Sequence, residues 1–169
     1  LKRLAESQMA NLQESWVVMG INNDGSGVVS DIELGGPLEI EMDDANEIMK
    51  RYDSMGYDNV GFLHTHPNVE VISASDLISH ITVSNDIDGE TFTAAITPSS
   101  DGIIINSAYN YEGISYTEGQ NIISRLEELD DIIEGSDDQK EFHENTIKMF
   151  TEMEQYFDFC RKKFYLVGE

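Results

Sequence analysis

An α+β fold, with a mixed central β-sheet flanked by helices and a helical pair at the C-terminal end, follows from three features of the sequence. Short apolar and β-branched runs alternate with helical patterns through the first two-thirds of the chain. Two pairs of those runs are joined by strong turn sequences, NNDGSG and PSSDG. The last third instead carries apolar residues at helical spacing in two long blocks.

Taken in order, residues 1–13 (LKRLAESQMANLQ) place Leu1, Leu4, Ala5, Met9 and Leu12 at helical spacing, which predicts an amphipathic opening helix. SWVVMGI (15–21) is a compact apolar run and reads as a buried strand. NNDGSG turns the chain, and VVSDIEL (28–34) returns as a second strand until GGP breaks it. LEIEM (38–42) alternates as a third strand. It leads into DDANEIMKRYDSMG, a helix with Asp at its N-cap, acids in its first turn and Gly56 after its last. NVGFLHTH (59–66) is another strand, stopped by Pro67. SASDLISHITVSND (73–86) reads as a short helix capped by Ser73 or Ser75. TFTAAIT (91–97) and IIINSAY (103–109) form a hairpin across PSSDG.

Beyond that hairpin, TEGQNIISRLEELDDIIEG (117–135) aligns Ile122, Ile123, Leu126, Leu129, Ile132 and Ile133 on one face. SDDQKEFHENTIKMFTEMEQYFDFCRKKF (136–164) aligns Phe142, Thr146, Met149, Phe150, Met153, Phe157, Cys160 and Phe164. Ser136 followed by Gln139 has the pattern of a capping box, and Arg161, Lys162 and Lys163 suit the negative end of a helix dipole. The two blocks predict an antiparallel helix pair. Residues 1–115 then form one domain, and residues 116–169 a helical hairpin docked on it.

Composition narrows the function classes. The 33 acidic residues outnumber 10 basic ones, for a formal charge of −23. Such a surface repels nucleic-acid phosphates and anionic membranes, so neither is expected as a partner. It is read as a solvated acidic surface suited to a salt-rich habitat, or as recognition of a basic partner. The chain opens on Leu rather than Met, as a trimmed N-terminus would. It shows no signal-peptide pattern and no apolar run near the roughly 20 residues a membrane-spanning helix needs, so a soluble protein is expected. The lone Cys160 excludes an internal disulfide and a cysteine-built zinc site, and fits a reducing compartment.

The chemistry concentrates in GFLHTHPNVEVISASDL (61–77). His64 and His66 are two apart on a predicted strand, so both side chains leave one face. Imidazole is a good zinc ligand, and an open catalytic zinc site takes three protein ligands and a water. Asp76 is the natural third ligand, because Pro67 turns the chain away and the short helix near Ser73 can return a carboxylate. Taken alone, a His-x-His pair is more often a surface or core feature than a metal site.

His64-Thr65-His66-Pro67 followed by Ser73-Ala74-Ser75-Asp76 resembles the signature of the JAMM zinc metalloproteases, also called JAB or MPN-plus. That pattern is an upstream Glu, then H-[S/T]-H-P, a short loop and S-x-x-D. The resemblance extends over about residues 12–110. It includes the GF before the histidines, the helix before that strand and the hairpin after the aspartate helix. It implies a cytidine-deaminase-like MPN fold, with Zn2+ held by His64, His66 and Asp76. Glu14, just ahead of the first core strand, matches the family's general base, with Glu6, Glu33, Glu39 and Glu41 as competitors whose other reading is plain surface charge. Ser73 matches the serine that stabilises the oxyanion opposite the zinc; its other reading is a helix N-cap. One departure is local: nine residues separate His66 from Asp76, where the family usually has ten.

His80, one helical turn after Asp76, reads as a packing residue, and nothing marks His143. Relatives with a second zinc need ligands that one cysteine and two distant histidines do not supply. The resemblance is therefore to a compact prokaryotic or virus-encoded member, cytoplasmic or carried in a virion. It implies hydrolysis of an isopeptide or peptide bond: in a ubiquitin-like modifier conjugate, in a modifier precursor, or in the peptide crosslinks met by a phage tail. The alternative is an MPN-type scaffold whose C-terminal helices bundle with another subunit. A nucleic-acid-processing relative is disfavoured by the charge.

Overall fold

The computed structural model describes residues 14–34, 42–66, 71–99, 102–110 and 114–165. The predicted opening helix at 1–13, residues 38–41 of the predicted third strand and Pro67 lie outside the described residues. Strands β1 (Ser15–Ile21), β2 (Gly27–Val29), β3 (Glu33–Leu34), β4 (Asn59–Thr65), β5 (Glu90–Ser99), β6 (Gly102–Asn110) and β7 (Asp158–Tyr165) form one seven-stranded sheet in the order β2-β1-β4-β5-β6-β7, with β3 also on β1. Every pairing is antiparallel except β4 with β5. A parallel neighbour needs a crossover, and α2 (Ala74–Ser84) supplies it. The other helices are α1 (Met42–Ser54), α3 (Tyr116–Glu134) and α4 (Gln139–Met153).

The mixed α+β class read from the sequence is the architecture observed. Trp16, Val18, Val60 and Phe62 of the sheet pack against Ala45, Met49 and Tyr52 of α1. Leu77 and Ile81 of α2 share a second core with Ala95 and Ala108 of the sheet, Ile122 and Leu126 of α3, and Met149 and Met153 of α4. Each buried Val, Leu, Ile, Phe or Met among them is worth about 1.5–3 kcal/mol. Gly61, in the strand that carries the histidines, lies beneath Phe92, and a Cβ there would overlap the ring. Gly56 ends α1 with φ +86°, a left-handed conformation glycine adopts without strain. Among the described residues, no helix is long and apolar enough to cross a membrane.

Four expectations are corrected. The predicted second strand is split into β2 and β3, because four steps from Val29 to Glu33 face only three from Met19 to Trp16 on β1. The extra residue makes a bulge. Ser30 bridges it: its N–H donates to the Val18 carbonyl, and its Oγ accepts the Val18 N–H at 2.9 Å. Met42 opens α1 instead of closing a strand. At the other end, the second C-terminal helix stops at Met153, and residues 158–165 form β7, paired with β6 over eight positions. Phe157 keeps its predicted burial, whereas Arg161, Lys162 and Lys163 lie on a strand and cap no helix. β6 would otherwise present an open row of N–H and C=O groups, which the alternating, aromatic-rich segment can satisfy and a longer helix cannot.

The cap of α4 is Asp138 rather than Ser136. Its carboxylate accepts the Glu141 N–H at 2.9 Å, and Glu141 reaches back to the Asp137 N–H. Arg125 ties α3 to α4, with both oxygens of Glu152 at 2.6 and 3.0 Å and Glu128 at 2.6 Å.

Candidate metal centre

β4 ends the sheet's central run with both histidine side chains on one face and almost fully buried, His64 at 1% and His66 at 8% exposure. The two Nε2 atoms are 2.9 Å apart. α2 brings Asp76 to them: Oδ1 is 3.0 Å from His64 Nε2, and Oδ2 is 3.3 Å from His66 Nε2. One ligand atom from each of the three residues lies within 4.8 Å of the others. The nine-residue connection is therefore long enough to deliver the carboxylate.

Two further sets of bonds aim these groups. His66 Nδ1 lies 3.0 Å from the Val71 carbonyl, which can only accept, so Nδ1 carries the hydrogen and Nε2 presents its lone pair to the centre. Asp76 is held by a reciprocal capping box at the start of α2. Its Oδ2 accepts the Ser73 N–H at 2.7 Å, and Ser73 Oγ accepts the Asp76 N–H at 3.1 Å. Ser73 Oγ is also 2.9 Å from Ser75 Oγ. The N-cap reading of Ser73 is thus realised, and Ser73 acts on the centre through Asp76. His64 stacks on Phe62, which in turn meets Trp16. Its Nδ1 is buried with no hydrogen-bond partner among the described residues.

Glu14 stands beside this cluster. β1 and β4 pair Trp16 with His64, and the same register continued by two residues sets Glu14 across from His66. Thr65, between the histidines, makes that register firm: its Oγ1 accepts the Ser15 N–H at 2.8 Å. Sequence reasoning missed Thr65 as a positioning residue, because strand register joins residues fifty apart. Burial raises the pKa of Glu14 and the charge of Asp76 adds to the rise, while His64 and His66 oppose it; the net shift is upward. For Asp76, burial alone would raise the carboxyl, but the charges and hydrogen bonds of both histidines overcome it and hold the group well below the ordinary carboxylate range. Burial disfavours protonation of His66, yet its hydrogen bond to Asp76 and the charges of Asp76 and Glu14 raise its pKa.

The donor set suits a metal such as zinc. Two imidazole nitrogens and one carboxylate leave a fourth position open, and separations of 2.9–3.3 Å are near the roughly 3.3 Å edge of a tetrahedron with zinc-length bonds. A metal could equally be another divalent ion with a taste for nitrogen and oxygen. A groove of about 370 Å³ is lined by Trp16, the strand partner of His64, with Glu33, Asp44, Glu47, Ile48 and Arg51. Glu33 belongs to this groove. Glu6, Glu39 and Glu41 lie outside the described residues. His80 is buried against Phe157, with Nε2 3.4 Å from Thr91 Oγ1, and His143 is exposed on α4.

No family model matches the chain, and no curated protein matches it. Among solved structures, the Trichoplax adhaerens STIL N-terminal domain aligns with 70% of this chain at 13% identity and a TM-score of 0.26. The chain spans 46% of that domain's length, and similarity at this level carries no argument about fold or function.

Proposed function

We propose that this protein is a zinc-dependent metallopeptidase of the JAMM type, hydrolysing an isopeptide or peptide bond. The observation that carries the reading is the convergence of His64, His66 and Asp76 on one point with Glu14 alongside. Zinc, when bound, supplies a Lewis acid that polarises a carbonyl and brings the pKa of a water to about 7. Glu14 accepts the proton of the attacking water on its carboxylate and returns it to the leaving amine nitrogen. Its raised pKa favours a group that must both take and give a proton. Asp76 and the two histidines remain fixed, the carboxylate held by Ser73 and the His66 ring by Val71. The Ser73 hydroxyl hydrogen has two destinations, Ser75 Oγ or a substrate oxygen, and the second makes it an oxyanion donor. A ubiquitin-like modifier conjugate or precursor is the proposed substrate.

A second reading, an assembly subunit, is favoured by the exposure of Ile132, Phe142 and Ile147 on the helical pair. Metal analysis separates the two. The purified protein is expected to hold one zinc per chain, lost in His66→Ala and Asp76→Ala and retained in Glu14→Gln. A modifier-fusion cleavage assay is expected to be active in the zinc-loaded protein and silent in Glu14→Gln. Absence of stoichiometric metal after zinc loading would leave the assembly reading standing.

A further inference from the structure

We propose that the outer edge of β7 is a docking site for an extended, acidic segment of a partner protein, taken up by strand addition. Among the described strands, β7 pairs only with β6 and ends the sheet. In an antiparallel ladder alternate residues turn both backbone groups outward, so an edge strand is a template for another. From Cys160 to Tyr165 every side chain is exposed, on both faces of the sheet.

The charge says what kind of strand fits. Arg161, Lys162 and Lys163 are consecutive and make up three of the chain's 10 basic residues, against 33 acidic ones. Arg161 and Lys163 share one face with Tyr165, and Lys163 Nζ sits 5.2 Å from that ring; Lys162 and Phe164 take the other face. The β6 stretch paired with them, Gly102–Asn106 (GIIIN), brings no charge of its own. An incoming strand bearing Asp or Glu meets a cation on either face and an aromatic ring beyond it. A second copy fits poorly, because antiparallel β7 strands would set cation against cation and two bodies of −23 repel. The same repulsion toward an acidic peptide is screened beyond a Debye length of about 8 Å at physiological salt, which leaves the local strip to decide. β7 is three strands from the histidine-bearing β4, roughly 14 Å across the sheet, so this site stands apart from the proposed metal centre.

Lysines on an edge strand also serve simply to keep sheets from aggregating, and the test distinguishes that role from docking. The probe is a labelled, end-capped octapeptide of alternating Val and Glu, followed by fluorescence anisotropy against the full chain at about 0.15 M salt. Two comparison peptides replace every Val by Pro, or every Glu by Lys. Docking predicts saturable binding of the Val–Glu peptide, weakened about tenfold or more by R161E/K162E/K163E and by the proline peptide. The lysine peptide is expected to prefer the triple variant. Unchanged thermal unfolding of that variant shows its fold intact, as expected for exposed positions. The proposal is overturned if wild type does not bind the Val–Glu peptide, if the triple variant binds it equally, or if the proline peptide binds as well.

Discussion

Thr65 contributes nothing to the metal centre directly, yet it decides where Glu14 stands. It is fully buried, and its hydroxyl bonds Ser15 on the far side of the strand from the histidines. Replacing it with the near-isosteric Val removes that bond while leaving His64 and His66 in place. Thr65→Val is expected to lower stability by about 1–2 kcal/mol in urea unfolding. It is also expected to keep one zinc per chain while losing more hydrolysis than metal affinity, because only the start of β1 shifts. Metal loss in parallel with activity would contradict this placement. His66 makes a second prediction. Metal binding needs Nε2 unprotonated, and the apo protein's raised His66 pKa makes protons stronger competitors than at a free imidazole. Zinc affinity should therefore fall as pH drops through a midpoint above 6.5, with proton release measurable by titration in two buffers. The candidate ligands His64, His66 and Asp76, which the fold brings together, were legible in sequence because HTHP and SASD are local strings. The Thr65 stitch, the Val71 contact that sets the His66 tautomer and the His64 Nδ1 left without a partner among the described residues depend on register and loop geometry, which no local string encodes.

At the level of elements, α2 is where stability and chemistry meet, because one capping box both starts the helix and aims Asp76. Ser73→Ala removes the cap and is expected to cost about 1 kcal/mol, with weaker zinc binding as the carboxylate loosens. Ser73→Asp restores a capping oxygen but carries no hydrogen to donate. If Ser73 acts only through Asp76, the Asp variant recovers stability, metal and turnover together. A hydrogen bond donated to the substrate oxyanion predicts instead that turnover stays low by about 10²-fold while the other two recover, the outcome expected here. The elements were legible where pattern and neighbours agree: β1, β4, the β5–β6 hairpin, α2 and α3 are close to their expected spans. β7 was not, because Met149, Met153, Phe157 and Cys160 keep helical spacing straight through the point where the helix ends. Phe157 is buried as that helical reading requires, but the chain beyond it joins the open edge of β6. A sheet edge in need of a partner is a tertiary fact that helical periodicity does not register. The bulge at Ser30 escaped for a similar reason, since VVSDIEL reads as an unbroken strand until its pairing with β1 is counted.

For the whole molecule, pH acts on stability through opposed groups, and His80 is the one whose contribution can be isolated. It is buried among Thr91, Phe157 and the core side of α2, and burial alone pushes its pKa down to about 4. The unfolded chain takes up this proton near pH 6.5, so the folded state loses stability as pH falls from about 6.5 to about 4, by on the order of 3 kcal/mol, and no further below that. Asp76 works lower: its depressed pKa stabilises the fold above about 3.8 and is lost as pH falls through the folded value. In the metal-free protein His66 has the opposite sign, stabilising below about 6.5 and losing that effect as pH rises through its raised pKa. The surface charge of −23 adds a repulsion that lessens as carboxylates protonate and that about 1 M salt reduces to a Debye length of about 3 Å. His80→Leu keeps most of the volume and removes the buried titration, along with the Thr91 contact, whose loss is a constant offset between the two proteins. Urea unfolding of the chelated protein in high salt, at pH 7 and pH 4.5, isolates it as the difference between wild type and variant. The wild type should lose stability relative to His80→Leu on acidification, with most of the change complete by pH 4.5. Parallel curves for the two proteins would mean that His80 is not held neutral in this core.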